Sequence, residues 1–383
     1  MKTDDSIPFL THFGCVPDPR VSRTRRYSLP DLLFLCICAV LCGADDCVSI
    51  AEFGRVKSDW LAQYTDFRDG LPSHDTISRV LSLLDPLEVE RAFVSWVSTI
   101  HTKTKGEVIA IDGKTMRRSF DTATGKAAIH MVSAWSSANG LVLGQVETAE
   151  KSNEITAIPK LLKMLDIEGC TITIDAMGTQ KDIASEIIDK KADYLLPVKD
   201  NHPNLNADIQ AFFERAMANR WMNANADKIP HAKHRMFDAD HGRSETRICY
   251  CTDVLDDIEN TQDWKGLRTI AMIQAERVEG AKTSTERRYY ISSLPPNAKW
   301  INDAARKHWG VENGLHWVLD VAFNEDLCRS RKNRGAAIRA VLNRVAVNIC
   351  KADTAAKVGI KNRRHKAAWD KRYLTQLIEG KKS

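Results

Sequence analysis

Between His101 and Glu107 the chain reads "HTKTKGE", and the apolar residues change period across this polar stretch. Upstream they recur at three- and four-residue spacings, the pattern of helices with one buried face. Downstream they alternate, or run in short blocks of four to eight, the pattern of strands. A chain with such a switch is neither one bundle nor one barrel. It joins a helical N-terminal domain, residues 1–100, to a sheet-based α/β domain, residues 101–350. At 383 residues it can bury both cores without disulfides or structural metal.

In the helical region the basic "RVSRTRRYSLPDLL" leads into "LLFLCICAVLCGA", Leu32–Ala44. Thirteen residues are too few to span a bilayer, so this is a buried helix. The opening "MKTDDSIPFL" lacks the basic-then-apolar order of a secretory signal. Cys36, Cys38, Cys42 and Cys47 lie in or beside the apolar run without a Cys-x-x-Cys pair, which reads as reduced thiols among Leu, Ile and Val rather than a zinc site. The expectation is a cytoplasmic protein with no membrane partner. Further on, "GLPSHDTISRVLSLLDPLEVERAFVSWVSTI" gives two capped helices broken at Pro86. They suit a helix-turn-helix or a plain packing layer.

The α/β region opens with "VIAIDGK", a short apolar strand with Asp112 near its end. "AIHMVSAWSSANG" and "LVLGQVETAE" form a hairpin turning at Asn139 and Gly140. An amphipathic helix, "EITAIPKLLKMLD", precedes "CTITIDAMG", whose strand stops at Asp175, and the helix "QKDIASEIIDKKA" feeds the strand "DYLLPVK". Three strands, then strand, helix and strand, predict a mixed sheet with helices on its faces. Period-two segments near 230–293 predict a β-rich insertion before the chain returns to helix.

Asp175 is the informative residue. An acid ending a buried strand is a cap, an ion-pair partner or a metal ligand, since an unpaired buried carboxylate is costly. Asp112 and Asp175 both fall at carboxyl ends of strands, where open α/β sheets place their chemistry. In the late helix His308, Glu312, His316 and Asp320 recur every fourth residue and predict one continuous face, either a solvated lacing of charge or part of a site. Three acids on three elements, Asp112, Asp175 and Glu312, can converge on a pair of divalent cations, magnesium or manganese, that act on a phosphodiester. No His-Glu-x-x-His is present, which disfavours a zinc hydrolase.

Net charge is only +5, but its distribution matters. From Cys328 to Ser383 there are 16 Lys and Arg against 3 acids. A basic C-terminal tail, 351–383, on an acidic body suggests a polyanion partner, with a merely solvated basic terminus the alternative. Arg329, Arg331, Lys332 and Arg334 are the candidate phosphate clamp. Lys114 and Lys199 either reach phosphate or remain solvated. Arg243 and Arg247 alternate with Glu245 on one face of a strand, as forks for phosphate oxygens. Trp309 and Trp317 are read as core, with base stacking the rival role.

The motifs "IAIDGKTMRRS", "VETAEKSNEI", "TIDAMGTQ", "DYLLPVKDNH", "HGRSETR", "RYYISSL" and "HWGVENGLHWVLDV", in that order, resemble those of the H-repeat-associated transposases, DDE-class enzymes of bacterial insertion sequences. The resemblance runs from about residue 8 to 350 and includes an associated N-terminal domain. It implies a ribonuclease H-like catalytic domain, with Asp112, Asp175 and Glu312 as its acids and metal ligands. It also implies strand cleavage at element ends, transfer of 3′ ends to target DNA, a homo-oligomer on DNA, and no small-molecule cofactor. Arg118 and Asp200 depart from the family pattern. They leave open an impaired or inactive transposase-derived DNA-binding protein, and a nuclease that only hydrolyses is a further alternative on the same fold.

Overall fold

The computed structural model describes residues 7–120, 125, 127–148, 154–222, 227–240 and 243–380, apart from the side chains of Thr24, Asp240 and Arg243. The chain packs as two units, each assembled from separate stretches. One gathers Met1–Thr102, Gly113–Leu165 and Glu312–Ser383, the other Lys103–Asp112 and Asp166–Val311.

The first unit begins with six helices, α1 (Pro8–Phe13), α2 (Leu29–Leu41), α3 (Cys47–Val56), α4 (Ser58–Leu61), α5 (His74–Leu83) and α6 (Pro86–Ile100). The Ser28 hydroxyl caps α2 by accepting from the Asp31 amide, and Pro30 sits in the first turn, where its missing N–H costs nothing. Every residue from Leu32 to Leu41 is buried, as the apolar run requires. All ten cysteines are free thiols; Cys36 and Cys38 are buried, and burial pushes both well above the usual thiol range. Helices α5 and α6 are joined through the short break at Leu84 and Asp85. The inner face of α6 is buried through Val89, Phe93, Trp96 and Val97, and buried Glu90 accepts from the Gln145 amide at 2.7 Å.

Nine strands follow in one sheet. In chain order the elements are β1 (Val108–Thr115), β2 (His130–Ser136), β3 (Leu141–Thr148), α7 (Glu154–Met164), β4 (Thr171–Thr173), α8 (Lys181–Asp189), β5 (Asp193–Val198), α9 (Pro203–Ala218), β6 (Ala232–Asp240), β7 (Arg243–Thr252), β8 (Thr269–Glu279), β9 (Lys282–Ser292) and α10 (Ala298–His308). The sheet order is β3-β2-β1-β4-β5-β9-β8-β7-β6. β1, β4 and β5 are parallel neighbours, whereas β2–β3, β5–β9, β9–β8, β8–β7 and β7–β6 pair antiparallel. This is the mixed, helix-flanked sheet of a ribonuclease H-like fold, and the β-rich insertion is β6–β9 extending it. In the second unit α10 lays Ala298, Ile301, Ala304 and Ala305 on Leu195, Cys249, Cys251, Ile273 and Tyr290.

After a single π-turn, Glu312–His316, come α11 (Trp317–Phe323), α12 (Gly335–Ala352), α13 (Ile360–Trp369) and α14 (Lys371–Glu379). The stretch expected to trail as a basic tail is thus largely two helices. Arg364 of α13 donates to the Val40 carbonyl at the end of α2 at 2.7 Å and lies over the Phe323 ring at 4.0 Å. Lys57 donates to the Ala368 carbonyl, and the Trp60 indole to Thr375. The charge count concealed an amphipathic pattern: Tyr373, Leu374, Leu377 and Ile378 share the buried face of α14.

Candidate active site

The apolar run Val108–Ile111 buries β1 on both sides, and half-buried Asp112 follows it inside the strand rather than at its end as expected, because β1 continues to Thr115. β1 pairs with β4 in parallel, Ala110 opposite Thr173. Asp175 lies two residues beyond β4, and its Oδ1 accepts from the Gly178 amide at 2.9 Å, so it also caps the turn toward α8. Cap and candidate ligand are compatible, because a carboxylate has lone pairs for both.

Gly113 follows Asp112, and a side chain there would run into the His130 ring and the Glu154 carboxylate. Those two are buried and bonded, with His130 Nε2 2.6 Å from Glu154 Oε1. With its proton on Nε2, the imidazole accepts the Thr115 hydroxyl at Nδ1, 2.8 Å away. Lys114 is buried too. Its ammonium lies 2.7 Å from Asp320 and 3.0 Å from Asp326, and Arg117 approaches Asp326 at 3.2 Å.

The late helix is not the continuous face that four-residue spacing predicts. α10 ends at His308, whose ring bonds the Thr173 hydroxyl at 3.0 Å. The π-turn then carries Glu312 and His316, joined Oε2 to Nδ1 at 3.1 Å, and Asp320 on α11 turns to Lys114. A π-turn holds one more residue than an α-turn, so the four side chains serve three separate purposes. His316 is buried, and burial holds its pKa below the ordinary imidazole value despite the opposing pull of Glu312. A neutral imidazole is the form that ligates metal.

Asp112, Glu312 and His316 each offer one ligand atom, all within 4.8 Å of one another. Asp175 is not in that group. Two carboxylates and a neutral imidazole suit magnesium and, through the nitrogen, manganese better still. His316 was hidden in the sequence because its spacing matched His308 and Asp320 equally well.

The candidate phosphate contacts divide. Lys199 is exposed just past β5. Lys114 is buried and neutralised by acids rather than free for phosphate. Arg247 is also buried and lies 3.4 Å from Glu245, with burial lowering its pKa; Glu245 faces Arg277 as well, at 3.3 Å. It is therefore a strut of the insertion rather than an open fork. The Arg243 side chain lies outside the described residues. Arg329, Lys332 and Arg334 are exposed, and Arg331 lies over the Phe120 ring at 5.2 Å. Arg329, Arg331 and Lys332 line a groove of about 300 Å³ with Asp45, Asp46 and Ser78. The core reading of the two tryptophans is overturned: Trp309 is 52% and Trp317 58% exposed.

Comparison with known proteins is decisive at this point. Residues 103–349 match the family described as "Transposase DDE domain", and residues 10–97 match its companion, "DDE_Tnp_1-associated". The chain belongs to the DDE transposases. Among curated relatives of this transposase, "Putative transposase YncI" of Escherichia coli O157:H7 is 44% identical over 96% of the chain and 94% of its own length. "H repeat-associated putative transposase YhhI" of Escherichia coli (strain K12) is 41% identical over 97% of each. The transposase is thus a metal-dependent enzyme of DNA, and the cluster of Asp112, Glu312 and His316 supplies a ligand set for one metal ion. Among the described residues no helix is long and apolar enough to cross a membrane.

Proposed function

We propose that this transposase cuts DNA at the ends of its insertion sequence and joins the freed 3′ ends to target DNA, holding two divalent cations between Asp112, Asp175, Glu312 and His316. The observation that carries the reading is the convergence of the ligand atoms of Asp112, Glu312 and His316 within 4.8 Å of one another. Asp175, two residues beyond the parallel neighbour of β1, supports a second ion position. Bound there, such ions lower the pKa of an attacking water or 3′ hydroxyl and stabilise the leaving oxygen.

The protein's own residues do the rest. Asp112 presents its oxygens from within β1 and Asp175 from just beyond β4. Glu312 fixes the orientation of the His316 ring through Nδ1. Lys114 ties β1 to α11 and to Asp326, and so limits how far Asp112 can move relative to the π-turn. Arg329, Arg331, Lys332 and Arg334 hold backbone phosphates, with Lys199 a further contact. The working form is a homo-oligomer on double-stranded DNA, acting on the bacterial nucleoid.

Single changes of Asp112, Asp175 or Glu312 to Ala should abolish Mg-dependent cleavage of element-end DNA and leave its binding intact. Cleavage by Asp175→Ala equal to the parent would remove that residue from the site. Release of fragments with no joined product would mark the enzyme as a hydrolytic nuclease.

A further inference from the structure

Nothing in the DDE reading explains why Glu312 and His316 sit on a π-turn, a rare geometry that a helix adopts only when its surroundings demand it. The surroundings are visible at Gly314, in the middle of that turn. A Cβ there would lie 2.6 Å from Trp135 Cζ2, 3.2 Å from Cε2 and 3.3 Å from Cη2. The indole therefore lies against bare backbone, where no other residue than glycine fits.

Trp135 has no room to retreat. It is 4% exposed. Lys351 Nζ stands 4.8 Å from its ring centre, and a Cβ on Gly140 would meet the same six-membered ring at 3.9 Å. Burial depresses the Lys351 pKa, a sign of how closely this corner is packed. The ring is also aimed by the backbone: the β2–β3 register shifts between Ala134 and Trp135, with Ala134 opposite Gly144 and Trp135 opposite Val142. Such a bulge re-aims the side chain beside it.

We propose that Trp135 is the positioning residue of the metal site, a wedge that holds Gly314 and thereby the π-turn on which Glu312 and His316 meet. The inference rests on the metal reading above. Trp135 touches no reacting atom; it acts through the backbone. Without the wedge the turn relaxes toward ordinary α-helix, which drops one residue from the turn and rotates the following side chains by about 100°.

The test compares Gly314→Ala, Trp135→Phe, Trp135→Leu and the double variant Gly314→Ala with Trp135→Leu in the full-length chain. Thermal unfolding, DNA affinity, Mn²⁺ affinity measured without DNA, and cleavage rate are read for each. Gly314→Ala should weaken Mn²⁺ binding and slow cleavage by about 100-fold, the cost of an ångström-scale misplacement, with DNA affinity unchanged. The smaller Leu should relieve that clash, so the double variant should cleave faster than Gly314→Ala alone. Trp135→Phe, which keeps an aromatic ring, should retain more activity than Trp135→Leu. If Gly314→Ala does not fold, the two Trp135 variants decide, since neither overpacks. Mn²⁺ affinity and cleavage at parental levels in Trp135→Leu would overturn the proposal. The same result with Asp112→Ala also fully active would overturn the metal reading instead.

Discussion

Glu90 is a carboxylic acid placed where water cannot reach it. Burial pushes its pKa up to about 8, against the smaller lowering effects of the Gln145 amide and Arg344. The folded form therefore binds a proton that the unfolded chain releases near its ordinary value of 4.5. Stability from this group is fully present below about 4.5 and is lost as pH rises toward 8, by at most about 1.4 kcal/mol per pH unit. Glu90→Gln should flatten that slope and raise the unfolding midpoint at pH 8 relative to the parent, as thermal scans from pH 5 to 8 would show; parallel curves would mean Glu90 is ionised in the fold. Glu90 looked like any helix surface acid in sequence, because its burial depends on β3, far along the chain. Asp112 and Asp175 stood out for the opposite reason: each follows its own short apolar run, so local pattern singled them out, although β1 goes on to Thr115 and β4 stops at Thr173. Glu312 was legible from its motif, and His316 was ambiguous until the π-turn separated it from His308.

At the scale of elements, strands and amphipathic helices declared themselves through period, while interruptions did not. A helical repeat of four carries no mark of one extra residue in a turn, so the break between α10 and α11 was invisible. The basic run between α11 and α12 was legible as charge, and three of its four cations are indeed exposed. It should act as an electrostatic unit. A variant with Arg329, Arg331, Lys332 and Arg334 all changed to Ala should lose affinity for unrelated DNA sequences about equally. Its log affinity should fall less steeply with log salt, by up to about one slope unit for each phosphate contact removed. An unchanged slope in a salt titration would move the clamp elsewhere, with Lys199 the next candidate. Buried Arg247 and Lys114 make the complementary point: strand and loop cations that read as phosphate ligands can be internal struts, and charge alone does not tell the two apart.

For the molecule as a whole, the C-terminal helices belong to the N-terminal ones. Arg364 completes the hydrogen bonding at the end of α2, and α14 buries four apolar side chains. Ending the chain after Asp353 should lower the unfolding midpoint by at least roughly 10 °C, since each of those side chains contributes about 2 kcal/mol. A dispensable tail would leave the midpoint unchanged, which is the outcome that would refute the packing argument. Composition could not reveal this dependence, because net charge sums over faces that the fold separates. The Arg364–Val40 bond also bears on how copies of such a gene decay. A stop codon just after Asp353 spares every metal ligand and every motif by which the chain is recognised, yet removes the frame that holds them. Such a copy would look whole at its active site and be dead all the same.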